Sequence, residues 1–278
     1  MKNTCFRWRS GLAILIAVSA AGVQGGESKS AGNLEVVPVD SQLTLVLGGG
    51  GNSAMYVNER EVVVVDSKMG KGAKQLRAMV EEKAAGKAVT VINTHYHMDH
   101  IKGNGLYPAA RIITGAYTRE EWKKGAGKSA YPDVTVVDTF ELDLGDERVF
   151  LINMGRAHTR NDMVVYFQKR DVLLTGDLVF ADRHPVLMKM EGAHTGSWQG
   201  ALERLLEEFS AGTVVPGHGP ISDMGTIQRM RDYFADIREA LADKDRLKIV
   251  KAKYRSYWSF ACIISFGHTV KVMREEEE

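Results

Sequence analysis

Residues 94–100 read Thr94-His95-Tyr96-His97-Met98-Asp99-His100, directly after the apolar run Val89-Thr90-Val91-Ile92. A short β-branched run that ends abruptly in polar donors marks a buried strand delivering a loop to a working surface. Side chains alternate along extended backbone, so His95 and His97 point the same way, while Asp99 and His100, past a turn, can face a second point. Three more places share this pattern: His158 follows the run 149–152, Asp177 follows 172–174, and His218 follows 213–215. The carboxyl ends of strands are where open α/β sheets gather their ligand sites. A lone histidine is ordinarily a satisfied surface or core residue, but seven donors at four strand ends are not explained that way. Imidazole nitrogen and carboxylate oxygen are the donors zinc takes when no thiolate is offered.

Working outward, β-rich runs at 43–47, 54–57 and 61–65 predict an antiparallel meander, with Gly48-Gly49-Gly50-Gly51-Asn52 as the turn between the first two. Leu76, Met79 and Val80 recur at helical spacing within 71–85, which closes at Gly86 and predicts an amphipathic helix. Strands follow at 88–93, 111–114, 135–137 and 148–153, with a helix at 117–124 among them. A hairpin of 163–167 and 172–175, a helix at 197–209, a strand at 213–215 and a long helix at 223–243 complete a mixed α/β chain. Residues 34–245 form one domain in this reading. Beyond it, 246–278 carries Tyr257, Trp258, Phe260, Ile263, Ile264 and Phe266 without clean periodicity, and predicts a flap packed on the core that ends in a frayed acidic tail, Glu275 to Glu278.

Composition narrows the function classes. A chain of 278 residues that is 44% hydrophobic and 26% charged is globular, which excludes disorder, collagen and coiled coil. Thirty-six Lys and Arg against 35 acids give +1, too little for a broad basic surface that holds nucleic acid. Lys2, Arg7 and Arg9 precede an apolar stretch at 11–23, and small residues follow near Ala20 and Gly25, so 1–25 reads as an export signal and 26–33 as a flexible lead-in. The apolar stretch is short of the roughly 20 residues a helix needs to span a bilayer, so no permanent span is expected. Removing the signal takes three cations and no acids from the 36 and 35, leaving a net charge of −2. Cys5 goes with it, and Cys262, left alone, can form no internal disulfide. The protein is expected in the periplasm or secreted.

The set His95-x-His97-x-Asp99-His100, His158, Asp177, His218 resembles the metallo-β-lactamase superfamily, whose fold is a four-layer αββα sandwich, here an α/β (α+β) chain. Similar segments, GGGGN (48–52), HxHxDHxxGN (95–104), AHTxxD (157–162), TGDLVF (175–180) and PGHGP (216–220), occur in exported members associated with quinoprotein dehydrogenase and sulfur-oxidation systems. The resemblance implies that His95, His97 and His158 bind one Zn2+, that Asp99, His100 and His218 bind a second, and that Asp177 bridges them, with iron or manganese as alternative metals. It implies that Asp66 orients ligands from behind, and that Asp99 passes a proton to the leaving group after a metal-bridging hydroxide attacks. The function implied is an exported binuclear zinc hydrolase cleaving an ester, thioester, lactone or lactam of a small molecule. Broad-spectrum β-lactamases carry Cys where Asp177 stands, and glyoxalase II, which has the Asp, recognises its substrate through basic residues of a C-terminal helical domain, whereas the stretch after Pro220 here reads as one long helix and a flap. A β-lactamase remains one alternative; an iron-dependent sulfur or persulfide dioxygenase is another.

Other features carry less. Gly125-Ala126-Gly127-Lys128-Ser129 is not a phosphate loop, because Trp122 holds the position of the motif's first glycine and no strand leads directly into it. His184 and His194, between Asp177 and the helix at 197, lie in a loop expected to border the metals, where each is either a surface histidine or a substrate contact, and His268 is expected to be structural. Trp122, Tyr131 and Met188 to Met190 could line a cleft or lie in the core.

Overall fold

The computed structural model describes residues 34–126, 131–260 and 263–278. The expected export signal and lead-in, both cysteines, and Gly127 to Ser129 lie outside the described residues.

Strands β1 (Glu35–Pro38), β2 (Leu43–Leu47), β3 (Ser53–Val57) and β4 (Glu61–Val65) form an antiparallel meander. Helix α1 (Gly70–Ala84) crosses to β5 (Ala88–Asn93), which pairs parallel with β4. The short helix α2 (Met98–Ile101) and a 3-10 turn (Lys102–Leu106) lead to β6 (Arg111–Gly115), then α3 (Arg119–Ala126) to β7 (Val134–Val136), both strands again parallel. These seven strands are ordered β1 to β7. The second sheet is a meander of β8 (Thr139–Asp143), β9 (Arg148–Gly155), β10 (Asp162–Phe167) and β11 (Val172–Phe180), closed by β12 (Thr213–His218), which returns parallel to β11 after helix α4 (Thr195–Glu208). Helices α5 (Met224–Ala240), α6 (Lys244–Lys253) and α7 (Phe266–Glu277) end the chain.

The two-residue period of the strands builds the layers. In β4, Val63 and Val65 enter the core between the sheets, while Val62 and Val64 pack outward with Leu76 and Val80 of α1. In β9, Val149 and Leu151 face the same inter-sheet core, whereas Phe150 and Ile152 face outward into a cluster with Trp198 and Leu202 of α4 and Ile227 and Phe234 of α5. The result is helix, sheet, sheet, helix, the sandwich the sequence predicts.

Three differences from expectation have physical causes. β11 does not stop at 175 but runs on to Phe180, with two register breaks against β12 that turn Asp177 toward the centre described below. Helix α3 starts at 119 rather than 117, because Thr118 and Glu121 make a reciprocal cap, Glu121 N donating to Thr118 Oγ1 and Thr118 N to the Glu121 carboxylate. The expectation of a frayed acidic end is corrected: 275–277 are the last turn of α7. There Glu276 accepts hydrogen bonds from Thr195 N (2.9 Å) and Thr195 Oγ1 (2.5 Å), Glu275 pairs with Lys189 at 2.9 Å, and Phe266, Val270, Val272 and Met273 are buried in the α4–α5 cluster.

Candidate metal centre

The ends of β4, β5, β9, β11 and β12 converge at one edge of the two sheets. His95 and His97 leave β5, with His97 capping α2, so Asp99 and His100 come from the first turn of that helix. Sheet two supplies His158, Asp177 and His218. Donor atoms of His95, His97, His158 and Asp177 lie within 4.8 Å of one another, and those of Asp99, His100 and His218 form a second such group.

Asp177 stands between the groups. Its Oδ2 is 3.3 Å from His158 Nε2 and 3.9 Å from His95 Nε2, while its Oδ1 is 3.1 Å from His100 Nε2 and 3.5 Å from His218 Nε2. His218 Nε2 is also 3.1 Å from Asp99 Oδ2. Nε2 of His95 and of His100 and Oδ1 of Asp177 are sealed from solvent without a hydrogen-bond partner. Leaving buried polar atoms unpaired costs about 1–3 kcal/mol each, which a cation coordinated there would relieve. The donor set, five imidazoles and two carboxylates, fits zinc or a similar divalent ion.

Hydrogen bonds behind the cage fix which nitrogens face inward. Asp66, at the end of β4, accepts from Thr94 N (2.9 Å) and Thr94 Oγ1 (2.8 Å) and faces His100 Nδ1 at 2.7 Å. Thr94 spends its proton on Asp66, so His95 Nδ1, 3.1 Å from Thr94 Oγ1, must be the donor there. His158 Nδ1 likewise meets the carbonyl of Val186 at 3.1 Å. In its neutral form each of the three rings thus presents Nε2 as a lone pair to the cage. The expected place of Asp66 behind the ligands agrees with these contacts.

Electrostatics divides the cage. Burial drives His95 far below the ordinary histidine range and His158 down to about 3, keeping both rings neutral. Burial acts the same way on His100 and His218, but the carboxylates outweigh it: Asp177, Asp66 and Asp99 lift His100 well above its usual value, and Asp177 and Asp99 raise His218 to about 9. Burial would raise Asp99 and Asp177, yet the histidines hold both ionised, His100 foremost at Asp99 and His218 at Asp177.

Lys68, fully buried, was not singled out by the sequence reading. Its Nζ donates to the carbonyls of Val46 (2.9 Å), Gly48 (2.6 Å) and Gly51 (2.7 Å), clasping the glycine hairpin to the floor of the centre, and burial lowers its pKa to about 7. Asn52 Nδ2 donates to the carbonyls of Pro216 and Gly219, each at 2.9 Å, tying that hairpin to the loop of His218. Glycine is needed at 51 because a Cβ there would stand 2.2 Å from His100 Cε1. Nothing in the sequence pattern marks a lysine as buried.

A cavity of about 470 Å³ opens onto Asp99, Asp177 and His218, walled by Phe180, Arg183, His184, Met188 and Trp258. His184 is therefore on the cavity wall. His194 is not: it caps α4, Nδ1 accepting from Ser197 N at 3.1 Å and contacting Ser197 Oγ at 2.7 Å, and it does not line the cavity. The ring nitrogen satisfies an N–H of the first helical turn that has no partner within the helix, and this bond holds the side chain on α4. His268 Nε2 meets the carbonyl of Leu187 at 2.9 Å. Trp122 is buried beside Tyr96 and Tyr117, with Tyr131 packed against them, so these rings are core.

Comparison with known proteins agrees with this picture. The family model of the metallo-beta-lactamase superfamily matches residues 46–218. The chain is 29% identical over 185 residues to the metallo-beta-lactamase type 2 of Bacillus sp. (strain 170), covering 65% of this chain and 71% of that one. It is 27% identical over 179 residues to metallo-beta-lactamase IND-1 of Chryseobacterium indologenes, covering 62% and 74%. Among solved structures, a metallo-beta-lactamase from Pontibacter korlensis superposes with a TM-score of 0.65 at 21% identity, covering 73% of this chain and all of that one, a likeness of fold.

Proposed function

Because the chain belongs to the metallo-beta-lactamase superfamily, we propose that it is an exported hydrolase whose two adjoining cation sites, filled by zinc, serve to cleave an ester, thioester, lactone or lactam of a small molecule. Its relatives in that superfamily are metal-dependent hydrolases. The observation that carries the two-site reading is the division of Asp177, one oxygen toward His95 and His158, the other toward His100 and His218. In this reading His95, His97 and His158 hold one ion, Asp99, His100 and His218 the other, and Asp177 serves both.

Divalent ions so placed lower the pKa of water toward neutrality and polarise a carbonyl oxygen. The chain supplies the rest. Asp66, Thr94 and the Val186 carbonyl keep three imidazoles in the tautomer that can bind a cation. Asp99, its side chain 29% exposed on the cavity side, is placed to take a proton and hand it to the leaving group. Phe180 and Trp258 give the cavity an apolar face.

The export reading is supported by the composition of 1–25, and among the described residues no helix is long and apolar enough to cross a membrane. We take 34–245 as the hydrolase domain, with 246–278 extending its outer helix layer.

The test is a panel of cephalosporin, lactone, thioester and phosphoester substrates with zinc-loaded protein, repeated after chelation and on Asp177→Ala. Hydrolysis of a carbonyl substrate, abolished by both treatments, is the expected result; full activity without metal would overturn the reading. The names of the curated relatives favour β-lactams as a second reading, which efficient nitrocefin turnover alone would establish. Bound iron with oxygen uptake and no hydrolysis would replace both with a dioxygenase.

A further inference from the structure

His184 lines the cavity but is not one of the seven donors. Its Nδ1 lies 2.9 Å from the hydroxyl of Tyr233. That hydroxyl donates to Thr269 Oγ1 at 3.0 Å, and Thr269 Oγ1 donates to the carbonyl of Ser265 at 3.3 Å. A hydroxyl has one proton to give. Thr269 gives its proton to Ser265 and Tyr233 gives its own to Thr269, so Tyr233 can only accept from His184. The imidazole proton therefore sits on Nδ1, and Nε2 is left with its lone pair free. Nε2 has no protein partner among the described residues and is not sealed from solvent. The rings of Tyr257 and Phe266 pack near the imidazole, at 5.7 and 6.5 Å between centroids. Burial keeps the ring neutral by lowering its pKa.

The neighbouring residue supplies charge. The half-buried Arg183 guanidinium lies 4.9 Å above the ring of Trp258; among the described residues no carboxylate pairs with it at close range, and only the adjacent Asp182 attracts it. Trp258 N donates to the Asp182 carbonyl at 2.9 Å and His184 N to the Trp258 carbonyl at 3.1 Å, so the C-terminal segment clamps 182–184 from both sides. An acceptor and a cation thus line the same cavity as Asp99, Asp177 and His218.

We propose that His184 is a specificity-determining residue whose Nε2 accepts a hydrogen bond from an N–H or O–H of the substrate, and that the substrate is a small anion bearing such a donor, its charge met by Arg183. This rests on the hydrolase reading for the location of the reacting bond. A wall that offers only an acceptor at this point selects against molecules that cannot donate, because the lone pair then loses its water without replacement. Tyr233 and Thr269 act through His184 as positioning residues.

Two measurements on the full chain test it. In protein labelled with 15N-histidine, long-range 1H–15N spectra distinguish the two neutral tautomers. His184 is expected as Nδ1–H, with or without metal, and Tyr233→Phe is expected to move it to Nε2–H. In zinc-loaded protein, 4-hydroxyphenylacetate is expected to bind at least about tenfold more tightly than phenylacetate. His184→Phe should erase that preference, while Arg183→Met should weaken both probes alike. An Nε2–H signature in the unmodified protein, equal affinities for the two probes, no binding of either at millimolar concentration, or a preference that survives His184→Phe would each overturn the proposal. The tautomer is read on the unmodified chain, so a variant that fails to fold leaves the test intact. Failure of the hydrolase reading shows separately, as hydrolysis indifferent to chelation.

Discussion

Gly51→Ala puts the packing of the second cation site to a direct trial. A methyl group at 51 would stand 2.2 Å from His100 Cε1 and 2.4 Å from its Nε2. Ordinary contact begins near 3.4 Å, so ring or loop must give by about 1.2 Å. Neither is free to do so. The ring is held by Asp66 at 2.7 Å and lies 4.2 Å from the His95 ring. The loop is held by Lys68 Nζ at 2.7 Å on the Gly51 carbonyl and by the Asp99 carbonyl at 3.1 Å on the Gly51 N–H. Zinc–nitrogen bonds span only about 2.0–2.1 Å, so a shift of this size removes His100 as a donor. The expected cost is about 1–3 kcal/mol of stability from overpacking, with hydrolysis falling about a hundredfold. Elemental analysis after zinc loading should find metal content falling from two ions per chain toward one. Gly200→Ala is the control: it sits within α4 with nothing within 4 Å of the new methyl and should stabilise by about 0.5–1 kcal/mol without touching metal content. Two zinc ions and unchanged kcat in Gly51→Ala would refute the reasoning.

Asp66→Ala leaves the seven donors in place but frees the rings of His95 and His100; competition with a chelating dye should show metal affinity reduced about 10- to 100-fold, and unaltered affinity would remove Asp66 from the centre. Lys68→Met strands three backbone carbonyls around the hairpin and should cost about 3 kcal/mol or more in urea denaturation, a loss under 1 kcal/mol counting against the clasp. Glu276→Ala removes the acceptor at the start of α4; a cost of about 1 kcal/mol, read as a Tm lower by about 2–4 °C, is expected, and an unchanged melt would mean the contact contributes nothing.

How much of this could be read beforehand depended on burial. β4, with its unbroken valines, and α1, with Leu76 and Val80 on one face, carry their structure in their patterns, and the structure places them within a residue of expectation. β1 and β8 escaped because they are edge strands whose side chains are mostly exposed, leaving no alternation to see. In α6 only Val250 is buried, so the helix has no apolar stripe. α7 has one, in Phe266, Val270 and Met273, but the preceding aromatic residues blur its start. The seven donors were legible because each follows an apolar run. The wall of Arg183, His184 and Trp258 was legible only in part, since it joins two segments about 75 residues apart that meet through a few backbone hydrogen bonds. Lys68 gave no sign at all, for what buries it is the shape of the glycine hairpin above it.

The donors of the cage run from residue 95 to residue 218 and are split between the two sheets, four from the first and three from the second. No fragment of the chain that ends before β12 can complete the second group, and each group draws donors from both sheets, so neither sheet alone can complete either. An ion held by the whole cage therefore binds only where both sheets have closed on each other. If the chain crosses a membrane unfolded, as the export reading has it, the sheets close on the far side, and the ion offered to the cage would be the one that compartment supplies, whatever the cytosol holds.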